Sequence, residues 1–384
     1  MRLIHTADVH LDASFAGAGM PPGLGNRRRQ SLRDVFRRIM RRAAEWPADA
    51  VLLPGDLLDT ERASRDTIVF LRDTFESIRP IPVFIAPGNH DPYVTGSPYA
   101  TETWPANVHI FRRPEWSSVE VEGLPLTVHG FAFDGPDISM NPFGSLRVPA
   151  DGRIHVAAAH GSERSRQPSG KKSYAPFDAA SAAVSGLQYL ALGHFHAMTP
   201  VPGFETAMYY SGAPEGHSFG EPGPHHYLEV EIDASGRVTA TPVESSRMVY
   251  DVRTVHCADF TNSGQLVELL RGFAPEGEPG RLLRVLLQGE IQPTIQNALG
   301  AVRDAVADEF VFLDLVDETH PVEDYASLAR SNTTMGAFIA RIGQEVDDAP
   351  DAARGAVLAR ARQVGLAAYR GRDLPIRGME RDSA

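Results

Sequence analysis

Short, continuous apolar runs alternate with one-sided amphipathic stretches over the first 90 residues. Leu3-Ile4-His5 leads to Asp8, Ala50-Val51-Leu52-Leu53 to Gly55, and Val83-Phe84-Ile85-Ala86 to Gly88. Between the first two runs, Leu32, Val35, Phe36, Ile39, Met40 and Ala43 recur at helical spacing within 27–45, and Trp46-Pro47 closes that stretch. Residues 65–78 repeat the helical pattern before the third run. Strands that are apolar throughout, separated by such helices, predict a parallel sheet covered on both faces. From about 108 to 245 the pattern turns strand-rich, with runs at 117–121, 124–131, 153–159, 187–192, 206–211, 226–232 and 237–243. The expected fold class is therefore α/β: two sheets packed face to face, flanked by helices. Residues 251–320 predict a smaller α+β unit, with strands near 252–256, 281–288 and 310–316 and helices near 263–272 and 293–308. A helical C-terminal tail spans 324–372, with Met335, Phe338, Ile339, Ile342 and Val346 on one face and a break at Asp347-Asp348-Ala349-Pro350. The expected division is 1–245, 251–320 and 324–372.

Five polar motifs each stand just beyond an apolar run: Asp8-Val9-His10, Gly55-Asp56-Leu57-Leu58-Asp59, Gly88-Asn89-His90-Asp91, His160-Gly161 and Gly193-His194-Phe195-His196. Sites in open α/β sheets form outside the carboxyl ends of the strands, so these motifs are expected to converge. In extended backbone, residues two apart face the same way, so Asp8/His10 and His194/His196 can each present two ligands to one site. Glycines at 55, 88 and 193 suit close backbone approach.

Carboxylate, amide oxygen and imidazole together suit a first-row divalent ion: manganese foremost, with iron or zinc as alternatives. Cys257 is the single cysteine, which excludes a thiolate cluster and an intrachain disulfide; it reads as a small core hydrophobe. Six or seven such ligands exceed what one ion needs. Two ions bridged by one carboxylate fit, and Asp56, in the middle motif, is the natural bridge. Such a pair polarises a phosphoryl group and brings a bridging water toward hydroxide near neutral pH. The implied reaction is phosphoester hydrolysis.

A net charge of −12 opposes indiscriminate binding to a polyanion. Charge is uneven, however: residues 1–50 carry nine Arg against five acids, and divalent cations would reverse the sign at a carboxylate site. No run approaches the roughly 18 apolar residues that span a bilayer, and the first residues lack the pattern of a secretory signal, so a cytoplasmic protein with no membrane partner is expected.

At the five motifs, in this order over residues 1–196, the chain resembles the calcineurin-like metallophosphoesterases, and within them the SbcD-type DNA repair nucleases, especially the YhaO-like branch. Tyr210-Ser211-Gly212 and Ser218-Phe219-Gly220-Glu221 extend the resemblance to about 230; Val9 departs from it, standing where many such nucleases have an aromatic. The resemblance implies a first ion on Asp8, His10, Asp56 and His196 and a second on Asp56, Asn89, His160 and His194. His90 would protonate the leaving sugar oxygen or stabilise the transition state, Asp91 would orient His90, and Asp59 would support its loop. The resemblance also implies a capping role for 251–320, manganese-dependent cleavage of DNA (exonucleolytic on duplex ends, endonucleolytic on single strands) and an SbcC-like coiled-coil ATPase as partner, which the helical tail would grip. A second copy of the chain is a further candidate partner.

Arg164, Arg166, Lys171 and Lys172 follow His160 in a Ser/Gly/Pro-containing loop and are candidate contacts to DNA phosphates, while His217, beside the Ser218–Glu221 segment, is a candidate substrate contact. The run Arg27-Arg28-Arg29 with Arg33, Arg37, Arg38, Arg41 and Arg42 reads first as a solvated helix face and second as a phosphate-tracking stripe. The alternatives to a nuclease are a small-molecule phosphoesterase acting on nucleotides or lipid-linked diphosphates, and a non-catalytic regulatory subunit of an ATPase.

Overall fold

The computed structural model describes residues 1–15, 20–59, 63–144, 146–168, 170, 172–277 and 280–371. In chain order the first strands are β1 (Arg2–His5), β2 (Ala50–Leu53), β3 (Val83–Ile85) and β4 (Val108–Ile110). There follow β5 (Ser117–Glu120), β6 (Leu126–Phe131), β7 (Ile154–His160), β8 (Tyr189–Gly193), β9 (Thr199–Val201), β10 (Ala207–Tyr210), β11 (His226–Ile232) and β12 (Val238–Glu244). They form two six-stranded sheets, ordered β12-β11-β1-β2-β3-β4 and β5-β6-β7-β8-β10-β9. Strands β1 to β4 run parallel, as do β6, β7, β8 and β10; β11 and β12 complete the first sheet antiparallel.

Alternation along each strand explains the layers, because successive side chains face opposite ways. Leu3, Ala50, Leu52 and Phe84 meet Val156, Ala158, Tyr189 and Ala191 of the second sheet in one core. The intervening Ile4, Val51, Leu53, Val83 and Ile85 face the other way, onto α1 (Pro22–Glu45) and α2 (Arg65–Glu76). The outer face of the second sheet, with Ala157, Ala159, Leu190 and Leu192, is covered by Phe143, Phe177 and the short helix at Ala179–Ala183 (α4), α3 being the turn Pro98–Thr101. The expected two-sheet sandwich flanked by helices is therefore present. Helix α1 begins five residues before the expected 27, because Pro22 supplies a pre-set φ at the first turn, where no amide partner is needed. Helix α2 is capped by the Ser64 hydroxyl, which accepts from the Thr67 amide.

The arginines of α1 form neither an open stripe nor a purely solvated face. Arg28 is fully buried and pairs with the equally buried Glu215 at 2.9 Å, between the rings of Phe15 and Tyr250. Arg42 binds Glu229 at 2.7 Å, Arg33 donates to Thr67, Arg38 to the Ser245 carbonyl, and Arg37 to Asp34. Carboxylates, a hydroxyl and a carbonyl, from neighbouring segments and from α1 itself, pair with these guanidinium groups. Arg27 and Arg41 remain exposed.

The chain divides into two compact units, Met1–Asp251 with Glu276–Leu282, and Val252–Pro275 with 283–384. The expected separate tail falls within the second unit. That unit carries the three-stranded sheet β13 (Met248–His256), β14 (Gly280–Ile291) and β15 (Phe312–Pro321), whose first strand starts in the first unit. Helix α5 (Ser263–Arg271) stands as expected, whereas two short helices, α6 (Pro293–Gln296) and α7 (Leu299–Asp304), replace the single helix expected over 293–308. Leu266, Leu270, Leu283, Val285, Leu287, Ile295 and Val302 form its core with the buried Cys257. After α8 (Tyr325–Ala329), the tail is a helical hairpin, α9 (Thr334–Asp347) and α10 (Ala352–Tyr369), broken at the acidic stretch that the sequence marks. Phe338 seats against Tyr369 and over Gly365, where a Cβ would lie 2.3 Å from the ring. Gln363 bonds His320 at 2.6 Å, so part of the tail packs on its own unit. Among the described residues no helix is long and apolar enough to cross a membrane.

Candidate metal centre

Each of the five motifs leaves the carboxyl end of a strand, as the sequence predicts. Asp8 and His10 follow β1, Asp56 and Asp59 follow β2, and Asn89, His90 and Asp91 follow β3; His160 ends β7, and His194 and His196 follow β8. The loops after β1 and β2 are zipped together: the amides of Asp8, His10 and Leu11 donate to the carbonyls of Gly55, Asp56 and Leu57 at 3.0–3.1 Å. Four of the candidate ligands adopt positive φ: Asp8 (53°), His10 (49°), Asp56 (52°) and His194 (114°). Each such backbone costs on the order of 1–3 kcal/mol outside glycine and persists only where surrounding bonds enforce it. Close approach is built in at Gly88, where a Cβ would lie 2.3 Å from Asp56 Oδ1, and at Gly193, where it would lie 1.9 Å from the Pro54 carbonyl.

Among the described residues four groups of potential ligand atoms result, and two of them consist of the predicted ligands alone. Atoms of Asp8, His10 and His196 lie within 4.8 Å of one another, as do atoms of Asp8, Asp56 and His160. Asp56 Oδ2 is 3.7 Å from His10 Nε2 and 3.3 Å from His160 Nε2, while Oδ1 accepts the His90 amide at 2.9 Å. Asn89 Oδ1 is 3.0 Å from His160 Nε2. The His194 ring stands 5.3 Å from that of His160, and its amide donates to both oxygens of Asp8 at 3.0 Å. The sequence-predicted ligands thus come together.

Three imidazoles are held by Nδ1. His10 donates to Asp59 at 2.9 Å, His160 to the Pro54 carbonyl at 3.1 Å, and His196 to Glu221 at 2.8 Å. Burial lowers His10 to about 3 and His194 to about 4, and takes His160 well below its ordinary value, so these rings are neutral and their lone pairs available. Burial raises Asp8 to about 6 and, with Asp91 and Asp8 nearby, takes Asp56 well up. His10 Nε2 is buried and has no hydrogen-bond partner among the described residues. An orphaned imidazole nitrogen facing crowded carboxylates is a donor set that divalent cations fit.

One expected role moves to a different residue. Asp91 does not orient His90: its oxygens accept the amides of Asp56, Leu57, Leu58 and Gly88 and the hydroxyl of Tyr99, which saturates the carboxylate. Asp59 holds His90 instead, Nδ1 to Oδ1 at 3.2 Å, with the same oxygen that holds His10. That bond to Asp59 raises His90 to about 9, against its partial burial. Asp59 therefore does more than support its loop. Glu221 is the other residue whose contact the motifs alone did not give; it lies four residues after His217, at the end of the quoted Ser218–Glu221 texture.

The candidate phosphate contacts are less uniform. Arg164 pairs with Asp178 at 2.5 Å and Lys172 with Asp137 at 2.8 Å, Arg166 is exposed, and Lys171 lies outside the described residues. His217 is at the centre itself, its ring 5.2 Å from those of both His10 and His196.

A double sheet bearing acid, amide and imidazole ligands on loops beyond its parallel strands defines a metal-dependent phosphoesterase architecture. The chain belongs to the calcineurin-like phosphoesterase family, whose profile matches residues 1–198. That family uses a dinuclear metal centre, and membership supports hydrolysis of a phosphoester. The chain is 28% identical over 368 residues to the uncharacterized metallophosphoesterase YhaO of Bacillus subtilis, covering 90% of this chain and 87% of that protein. It is 24% identical to the SbcD subunit of the nuclease SbcCD of B. subtilis, over 58% of this chain and 64% of that protein. It is also 24% identical to the DNA double-strand break repair protein Mre11 of Methanopyrus kandleri, over 60% of this chain and 51% of that one.

Proposed function

We propose that this chain is a two-metal phosphodiesterase that cleaves DNA in the cytoplasm, with manganese as its metal. One observation carries the reading: Asp56 Oδ2 lies between two groups of pre-oriented ligand atoms, within 3.7 Å of an imidazole from each. Asp8, His10, Asp56 and His196 would hold one ion, and Asp56, Asn89, His160 and His194 the other. Two such ions, when bound, supply an activated water and charge stabilisation at the phosphoryl group.

The chain's own groups do the rest. Asp59 fixes His90 beside the ligands, with its ring 4.8 Å from that of His10, and the half-exposed His90 can reach a leaving oxygen and donate a proton to it. Asp91 holds the loops after β2 and β3 in register, so Asp56 and Asn89 arrive together. DNA as substrate is supported by the likeness to a nuclease subunit and to a double-strand break repair protein, with exonucleolysis on duplex ends and endonucleolysis on single strands as the expected modes. The same likeness supports an SbcC-like ATPase as partner, and a second copy of the chain is a further candidate. Residues 251–320 would act as the capping domain.

An activity screen with Mn2+ and with chelator tests the reading, using duplex DNA, single-stranded DNA and bis-p-nitrophenyl phosphate. Metal-dependent cleavage of DNA and of the small diester is the expected result. Cleavage of the small diester alone would favour a small-molecule phosphoesterase, and inactivity on all three a regulatory subunit.

A further inference from the structure

The two groups of ligand atoms are not built alike. His160 is anchored by a neutral backbone carbonyl, whereas His10 and His196 are each anchored by a carboxylate, Asp59 and Glu221. Glu221 is itself fixed on its other side. Its Oε2 accepts the backbone amide of His217 at 2.8 Å, and the His217 ring nitrogen lies 3.4 Å from the same oxygen. The His217 ring is wedged edge-on against His10 and His196 and lies parallel to Phe15 at 6.2 Å, while its carbonyl accepts the Tyr250 hydroxyl at 3.1 Å. The same segment is anchored upstream by Glu215 in its buried pair with Arg28. Glu221 therefore has a fixed direction that does not depend on a metal being present.

We propose that Glu221 is a positioning residue for the ion held by Asp8, His10 and His196, acting through His196. This rests on the two-metal reading above. The Oε1 acceptor keeps the proton of His196 on Nδ1, turning the Nε2 lone pair toward Asp8 and His10, and its charge raises the basicity of that nitrogen. Both carboxylate oxygens serve a donor, so only an acceptor-only group satisfies the site. A glutamine offers one acceptor and one donor, and one of the two partners, His196 Nδ1–H or the His217 amide, would face an N–H.

The test is a Mn2+ titration of the full chain, following free ion by electron paramagnetic resonance, in wild type, Glu221→Gln and Glu221→Asp. Glu221→Gln should weaken one of two ions by about 10–100-fold and leave the other within about twofold. Glu221→Asp keeps the charge but withdraws it by one methylene, and should weaken the same ion. Melting of the metal-free proteins is recorded alongside. Unchanged affinities in both variants, or equal weakening of both ions with a lowered metal-free Tm, would overturn the assignment, the second showing a merely structural loop anchor. Two ions in wild type with that result leave the two-metal reading standing. No ion in wild type removes that reading and the assignment together.

Discussion

At Asp56 a single carboxylate oxygen faces imidazoles of both ligand groups, so its removal should be felt twice. Asp56→Asn keeps the shape and the bond from the His90 amide but loses the charge; elemental analysis should find most metal gone, with hydrolysis abolished and the fold intact. Retention of two ions would refute the bridge. His90 and Asp59 separate proton donation from metal binding. His90→Ala should retain two ions and lose about 10²–10⁴-fold in rate. Asp59→Ala should lose as much rate and, because His10 loses its Nδ1 partner, about 10–100-fold in metal affinity as well. Equal metal affinity in the two variants would show that Asp59 does not support His10. The ligands are legible in the sequence because residue type and strand-end position suffice to mark them. The partner of His90 is not: adjacency points to Asp91 and away from Asp59, yet says nothing about where a carboxylate turns. The positive-φ loops carry Asp59 to His90 across the space between β2 and β3, while four amides capture Asp91.

Among the elements, α1 and the tail hairpin carry the clearest packing tests. Arg28 and Glu215 are wholly buried, so Arg28→Ala strands a carboxylate and should destabilise the chain by about 3–5 kcal/mol in chemical denaturation. A loss below about 1 kcal/mol would mean that water or rearrangement compensates. In the tail, Gly365→Val would push a side chain into the Phe338 ring, costing about 1–3 kcal/mol of the second unit's stability, while turnover of a small diester by the first unit should not change. Equal loss of turnover would contradict that separation. The strands, the two long helices and the core face of α1 are readable from apolar runs and the 3.6 period, whereas the strand order within each sheet is not. The arginine run is not, because which residues of a helix meet carboxylates depends on Glu215 and Glu229, 187 residues beyond Arg28 and Arg42.

For the whole molecule, acid sensitivity should appear away from the metal ligands too. His5 is fully buried, accepting from the Tyr189 hydroxyl and donating to the Leu192 carbonyl; burial lowers it from 6.5 to about 3. Above pH 6.5 it is neutral in both folded and unfolded chains. Below that only the unfolded chain takes the proton readily, so the folded state loses about 1.4 kcal/mol per pH unit down to about pH 3 from this residue. His5→Gln cannot titrate there, so the stability gap between wild type and variant, measured in the metal-free proteins by urea unfolding, should narrow as pH falls from 6.5. A constant gap would contradict a neutral buried His5. The net charge of −12 fits this picture only if positive charge is supplied locally, and the candidate source is the pair of ions rather than the basic loop, where Arg164 and Lys172 already have acidic partners.

That makes the metal pair the decisive object. Anomalous scattering at the manganese edge from crystals of the chain grown with Mn2+ would locate it directly. Two peaks about 3.5–4 Å apart are expected, flanking Asp56 Oδ2, one beside Asp8, His10 and His196 and the other beside Asn89, His160 and His194. A single peak away from Asp56, or none at saturating Mn2+, would contradict the two-metal reading.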